Sequence, residues 1–174
     1  KIIGVSILPF FSIYEENPSK DEKFVKIIEN CIKEIWNFDS NLNIYLFIFR
    51  SYGKHSDEKI LLHLFNKLND DHDRIKIIKY SGDVFQLFNE MEKCDFFIGM
   101  RYHSSLFAYL LKKPEIIIDY QEKCKSLADE ILLPKNALIP LEDLELSLCH
   151  EVNGILRHRE NYYAKLSRAN AKYR

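Results

Sequence analysis

Arg101 and His103 are separated by one residue, and Ser104 and Ser105 follow at once, inside a stretch (residues 94–120) that is otherwise mostly apolar. A guanidinium presents a planar fork that matches a carboxylate or a phosphate. An imidazole exchanges a proton near neutral pH and can serve as general acid or base. Serine hydroxyls add donors. If the serines open a helix, its unpaired N–H groups and positive end favour an anion as well. The four residues together describe an anion site with a proton-transfer group beside it. A plainer reading stays open, in which Arg101 pairs with a nearby carboxylate and His103 only caps the helix.

The surrounding elements decide whether such a site can exist. Residues 2–8 form a short, nearly continuous apolar run that reads as a strand buried on both faces. Residues 10–19 read as a loop, with Ser19 as a candidate cap. Phe24, Ile27, Ile28, Cys31, Ile32, Ile35 and Trp36 recur at three and four, which predicts an amphipathic helix over residues 23–38. Further strands are expected over residues 43–50, 73–80, 95–100 and 114–120, with a short sixth near 136–140. Helices separate them: one capped by Ser56 or Asp57 and running to about Leu68, one over 84–94, one over 104–113 and one ending near Leu133. From Leu141 the pattern is helical to the end.

Regular alternation of strand and helix predicts an α/β fold: a Rossmann-like three-layer α/β/α sandwich whose parallel sheet has about five or six strands. Residues 1–160 are expected to form a single domain, followed by a polar helical tail over 161–174. In such a fold ligands bind beyond the carboxyl ends of the strands. Arg101 and His103 fall at such an end, so both are expected to flank one pocket.

Composition narrows the function classes. The chain has 174 residues, is 47% hydrophobic and 29% charged, and carries a net charge of -1. That balance offers no electrostatic case for nucleic acid or an anionic membrane surface. The four cysteines are scattered without a C-x-x-C pair, and the other histidines show no ligand spacing, so no metal site is expected. No G-x-G-x-x-G or Walker loop is present, which argues against a dinucleotide or P-loop site. No apolar run approaches the ~20 residues of a membrane span, and none reads as a signal peptide, so a reduced cytoplasmic setting is expected. The chain opens inside a strand without a methionine, which suggests a piece of something longer.

The stretch from about Cys94 to Pro134 resembles the polysaccharide pyruvyl transferase family. The resemblance rests on Ile98-Gly99-Met100-Arg101-Tyr102-His103, on Lys113-Pro114, and on Asp119-Tyr120 with Lys123, which arrive together and in order. It implies transfer of pyruvate from phosphoenolpyruvate to a pair of sugar hydroxyls on a cell-surface polysaccharide precursor, forming a ketal. It also implies two Rossmann-like halves resembling GT-B glycosyltransferases, of which this chain would be the C-terminal one. The N-terminal half, with its glycine-containing motif, would be the missing partner, and the fragment is expected to be inactive alone. Phosphoenolpyruvate is then a substrate and no cofactor is needed. The saccharide acceptor can be lipid-linked, which would bring the protein to the inner face of the membrane.

Residue by residue, Arg101 would clamp the donor by a two-bond fork and His103 would be the general acid or base. Ser104 and Ser105 would hold phosphate, Lys123 would neutralise it as it departs, and Tyr120 would meet the sugar. A guanidinium facing a cleft should matter little for folding. One departure weighs against this: Leu8 stands where family members often carry an arginine. That keeps an alternative of another class in view, a GT-B-like module that binds a sugar or sugar nucleotide, or a glycosyltransferase, without pyruvyl chemistry.

Overall fold

The computed structural model describes residues 1–68 and 74–158, so the first residue of the expected third strand and the whole expected tail lie outside the described residues. Six strands form one sheet: β1 (Ile2–Ser6), β2 (Asn43–Ile48), β3 (Ile75–Lys79), β4 (Phe96–Gly99), β5 (Glu115–Asp119) and β6 (Leu138–Pro140). Their order is β3-β2-β1-β4-β5-β6, and every neighbouring pair is parallel. Among the described residues, seven α-helices connect or flank them: α1 (Phe10–Tyr14), α2 (Pro18–Phe38), α3 (Glu58–Lys67), α4 (Val84–Glu92), α5 (Tyr102–Leu110), α6 (Glu122–Glu130) and α7 (Leu144–Arg157). This is the expected three-layer α/β/α sandwich.

Strands covered on both faces must be apolar at successive positions, and these are. Ile3, Val5, Ile7, Ile44, Leu46 and Ile48 point to one face, where α2, α3 and α7 supply Phe24, Ile28, Leu61 and Leu148. Gly4, Phe47, Ile78 and Phe97 belong to the other face. There α4 and α5 supply Leu87, Met91 and Ala108, and α6 packs Cys124 and Leu127 on Ile117. The order of the strands reverses between β1 and β4, and in doubly wound sheets the crevice for ligands opens at that reversal, beyond the carboxyl edge.

One segment departs from the sequence reading. Residues 10–14, expected as loop, form the short helix α1, and α2 starts at Pro18, not near residue 23. Proline suits a first helical position because its missing N–H would have no partner there anyway. The buried Asp21 on α2 accepts the N–H groups of Phe11 at 3.1 Å and Ser12 at 2.8 Å. A five-residue helix is too short to stand on propensity alone. Its support comes from this carboxylate on the next helix, which a local reading does not see.

Gly4 lets β1 pack against Phe97 of β4. A Cβ added there would lie 2.2 Å from the Phe97 ring, which is itself 5.1 Å from the Phe47 ring in the buried layer under α4 and α5. Gly4→Ala is therefore expected to destabilise the fold by about 1–3 kcal/mol through overpacking. A denaturant midpoint equal to wild type would mean that the Phe97 ring can swing clear.

Candidate functional site

Strand β4 ends at Gly99, and the chain turns through Met100 and the extended Arg101 into α5. That turn delivers Arg101 and His103 to a cavity of about 750 Å3 at the carboxyl edge of the sheet. The loop after β2 adds Arg50 and Tyr52, the loop after β3 adds Tyr80, and the start of α6 adds Lys123. Arg101, His103 and Lys123, brought together from the sequence alone, thus line one cavity. Arg50 joins them. None of the described residues lining it is a carboxylate.

Arg101 is not free to act as the expected fork. Its Nε donates to Asp57 Oδ2 at 2.6 Å, and one terminal nitrogen donates to the His55 carbonyl. The side chain of Asp57 is fully buried and that of Arg101 is 17% exposed. The same carboxylate accepts the N–H of Phe49 at 3.2 Å and of Arg50 at 2.8 Å. Burial pushes the Asp57 carboxyl above the ordinary carboxylate range, and the Arg101 charge opposes that rise. Asp57 was legible as a helix cap, and it does precede α3, but its side chain makes no cap bond to that helix. It ties the exit of β2 to the exit of β4. Nothing local marks that role, because its partner is 44 positions away. The expectation that Arg101 is dispensable for folding is corrected accordingly.

Ser104 and Ser105 are also corrected. Both side chains turn inward, at 0% and 1% exposure, so neither hydroxyl reaches a ligand in the cleft. With Ala108 they form the small-residue stripe that lets α5 approach β4. A Cβ at Gly99 would stand 2.5 Å from Ser105 Oγ and 3.1 Å from Ser104 Oγ. Ser104 Oγ donates to the Arg101 carbonyl at 2.7 Å. Ser105 lies against Glu115, whose carboxyl burial holds well above its usual range while the serine opposes part of the rise. What α5 can still offer an anion is backbone N–H, not hydroxyl.

Tyr120 borders a different space. With Phe10, whose ring lies 5.7 Å away and edge-on, it lines a neighbouring cavity of about 590 Å3 that also carries Glu15, Asp119 and Glu142. Burial raises its hydroxyl above the usual tyrosine range. Leu8 is buried in the core at 2% exposure, so β1 contributes no cation to the edge at that position. Arg50, which the sequence reading left unassigned at the end of a strand, does. The signal was available: it closes β2 as Arg101 closes β4.

His103 is exposed, in ring contact with Tyr102 and Phe107 at centroid distances of 5.5 and 6.1 Å. It caps nothing and can meet a ligand. Among the described residues, no three His, Cys, Asp or Glu side chains gather as a metal site, and no helix is long and apolar enough to cross a membrane.

Comparison with known proteins adds three findings. A comparison with curated proteins returned no match. Among solved structures, the one described as "S. aureus MnaA-UDP co-structure" superposes with a TM-score of 0.59 at 15% identity, over 95% of this chain and 38% of that chain. The chain thus spans well under half the length of that neighbour, and the likeness is one of fold. The family model for polysaccharide pyruvyl transferase matches residues 6–122, which run from the end of β1 through the Arg101–His103 turn to the start of α6. The turn that places an arginine and a histidine over a cationic cavity is part of that match, and the chain belongs to the polysaccharide pyruvyl transferase family.

Proposed function

We propose that the protein transfers pyruvate from phosphoenolpyruvate to two hydroxyls of a saccharide in polysaccharide biosynthesis, and that this domain binds the donor. One observation carries the reading: a cavity at the carboxyl edge whose charged lining is Arg50, Arg101 and Lys123, with His103 beside them and no carboxylate among the described lining residues. A donor bearing both a carboxylate and a phosphate is the chemistry such a lining selects.

The reaction is a sequence of proton transfers and C–O bond changes, with no oxidation. His103, as general acid, gives a proton to the methylene carbon of the enol. The adjacent carbon becomes an oxocarbenium-like centre, and the first sugar hydroxyl adds to it, losing its proton to a base. The C–O bond to phosphate breaks with the electron pair leaving on phosphate, and the second hydroxyl adds to the same carbon and gives its proton to the departing phosphate, which closes the ketal. Arg101 and Arg50 hold the anionic ends, while Lys123 stabilises the departing phosphate electrostatically. No cofactor enters this scheme.

The acceptor, lipid-linked or free, would be presented largely by a second Rossmann-like half, so the isolated domain should not turn over. Its setting in this scheme is the cytoplasm, at the inner face of the membrane when the acceptor is lipid-anchored. The test is to incubate the complete protein with phosphoenolpyruvate and a saccharide acceptor. Phosphate release and an acceptor heavier by one pyruvate ketal are expected. Phosphate release without acceptor modification, or no reaction with any acceptor, would count against it. A second reading, sugar-nucleotide binding without pyruvyl transfer, draws on the size of the cavity, its Tyr52 and Tyr80 walls, and the UDP named for the structural neighbour. Saturable uridine nucleotide binding in the absence of any phosphoenolpyruvate binding would favour it.

A further inference from the structure

The cations of the cavity are not equivalent. Arg101 shares its charge with the fully buried Asp57, and its Nε and one terminal nitrogen are spent on Asp57 and on the His55 carbonyl. Nη1 is left without a hydrogen bond to the described residues, so Arg101 can point that nitrogen's N–H donors at a ligand, while Asp57 offsets much of its charge. Arg50 is the reverse case. It is exposed, and only its Nε is engaged, by the Tyr52 carbonyl at 3.2 Å, while its guanidinium lies over the Tyr52 ring at 5.8 Å from the centroid. Among the described residues neither terminal nitrogen has a carboxylate partner, so the two remain as a fork on a residue that lines the same cavity as Arg101.

We infer that Arg50 is the principal anion-binding residue of this site, with Asp57 as the positioning residue that holds Arg50 and Arg101 on one frame. Asp57 does this with a single carboxylate: it accepts the backbone N–H of Arg50 at 2.8 Å and the Nε of Arg101 at 2.6 Å. The carbonyl of Arg50 in turn accepts the N–H of Asp57 at 2.9 Å. The exits of β2 and β4 are thereby clamped together. Arg101 supplies direction, and Arg50 supplies the fork and the uncompensated charge. The ligand class is a phosphate-bearing anion. The inference rests on the donor-site reading above.

Titration of the complete protein with phosphoenolpyruvate and, separately, with inorganic phosphate tests it. Arg50→Ala should weaken both by roughly tenfold to a hundredfold, the loss of charge-assisted bonds to an anion. Its melting temperature should stay at the wild-type value, because the side chain is exposed. Arg50→Lys should restore part of the affinity, by charge, but not all of it, because an ammonium has no fork. Asp57→Asn should lower affinity through displaced arginines, and its effect should shrink in an Arg50→Ala background, a coupling that loss of stability alone does not produce. Unchanged affinity in Arg50→Ala for both ligands would overturn the inference while leaving the donor reading intact. Wild-type binding of phosphate but not phosphoenolpyruvate, lost in Arg50→Ala, would uphold the inference and sink the donor reading. Wild-type protein that binds neither would sink both.

Discussion

Arg101→Ala is expected to destabilise the domain by about 3–5 kcal/mol near neutral pH, the usual consequence of leaving a buried charge without its partner. For a domain of this size that corresponds to a fall in melting temperature of roughly 6–20 °C. The carboxylate left behind, Asp57, is fully buried and would keep only its backbone donors, Phe49 and Arg50. The deficit should depend on pH in a definite direction. Burial already holds the Asp57 carboxyl above the ordinary range, and Arg101 supplies the largest opposing contributions. Without Arg101 the folded-state value rises further. A carboxyl whose folded value exceeds its unfolded value binds more protons folded than unfolded between the two. Stability therefore falls as pH rises through that window. The penalty in Arg101→Ala should be greatest above the window and should shrink as pH falls toward about 4, where the unfolded chain also holds the proton. Arg101→Lys should fall between, since an ammonium keeps the charge but cannot reach Asp57 and His55 in one plane. Chemical denaturation of wild type and both variants at several pH values decides the matter. A variant within about 1 kcal/mol of wild type at neutral pH would remove Arg101–Asp57 from the account of this fold, since that is the level of a surface ion pair.

His103→Gln should do the opposite. The ring is exposed and in contact with Tyr102 edge-on and with Phe107 at a tilt, so stability should stay within about 0.5 kcal/mol of wild type. On the function proposed above, pyruvyl transfer by the complete protein should drop by roughly a hundredfold to ten-thousandfold, the usual contribution of a positioned general acid or base. Donor KM should change far less than kcat, because glutamine keeps a hydrogen-bonding end but cannot deliver a proton. The pH–rate profile should lose one limb. Retained turnover with an intact profile would show that the proton comes from another group, and the neighbouring cavity holding Tyr120 and Asp119 would be the place to seek it. Measured side by side, Arg101→Ala and His103→Gln separate what builds the site from what reacts in it.

The sequence by itself determined the alternation of apolar strands and amphipathic helices, and with it the parallel sheet, because each of these signals is carried by residues within a turn or two of one another. It also determined that Arg101 and His103 stand at a strand exit, since strand direction and chain order together fix which end of β4 they occupy. Three matters belonged to the tertiary structure. Whether Ser104 and Ser105 meet a ligand or the sheet depends on the rotation of α5 about its axis, and the close approach at Gly99 turned them inward. Which cavity Tyr120 lines depends on where α1 sits, since Phe10 and Phe11 of α1 line that cavity with it, and α1 exists because Asp21 on another helix satisfies its first N–H groups. What Arg101 is bonded to, and hence how much of its charge reaches the cavity, depends on Asp57 arriving from 44 residues upstream. Periodicity reports which face of an element is apolar; it carries no information about which polar side chains from distant elements meet once those faces are buried. The burial of one carboxylate between two strand exits is such a meeting, and it made Arg101 part of the framework and left Arg50 as the open fork.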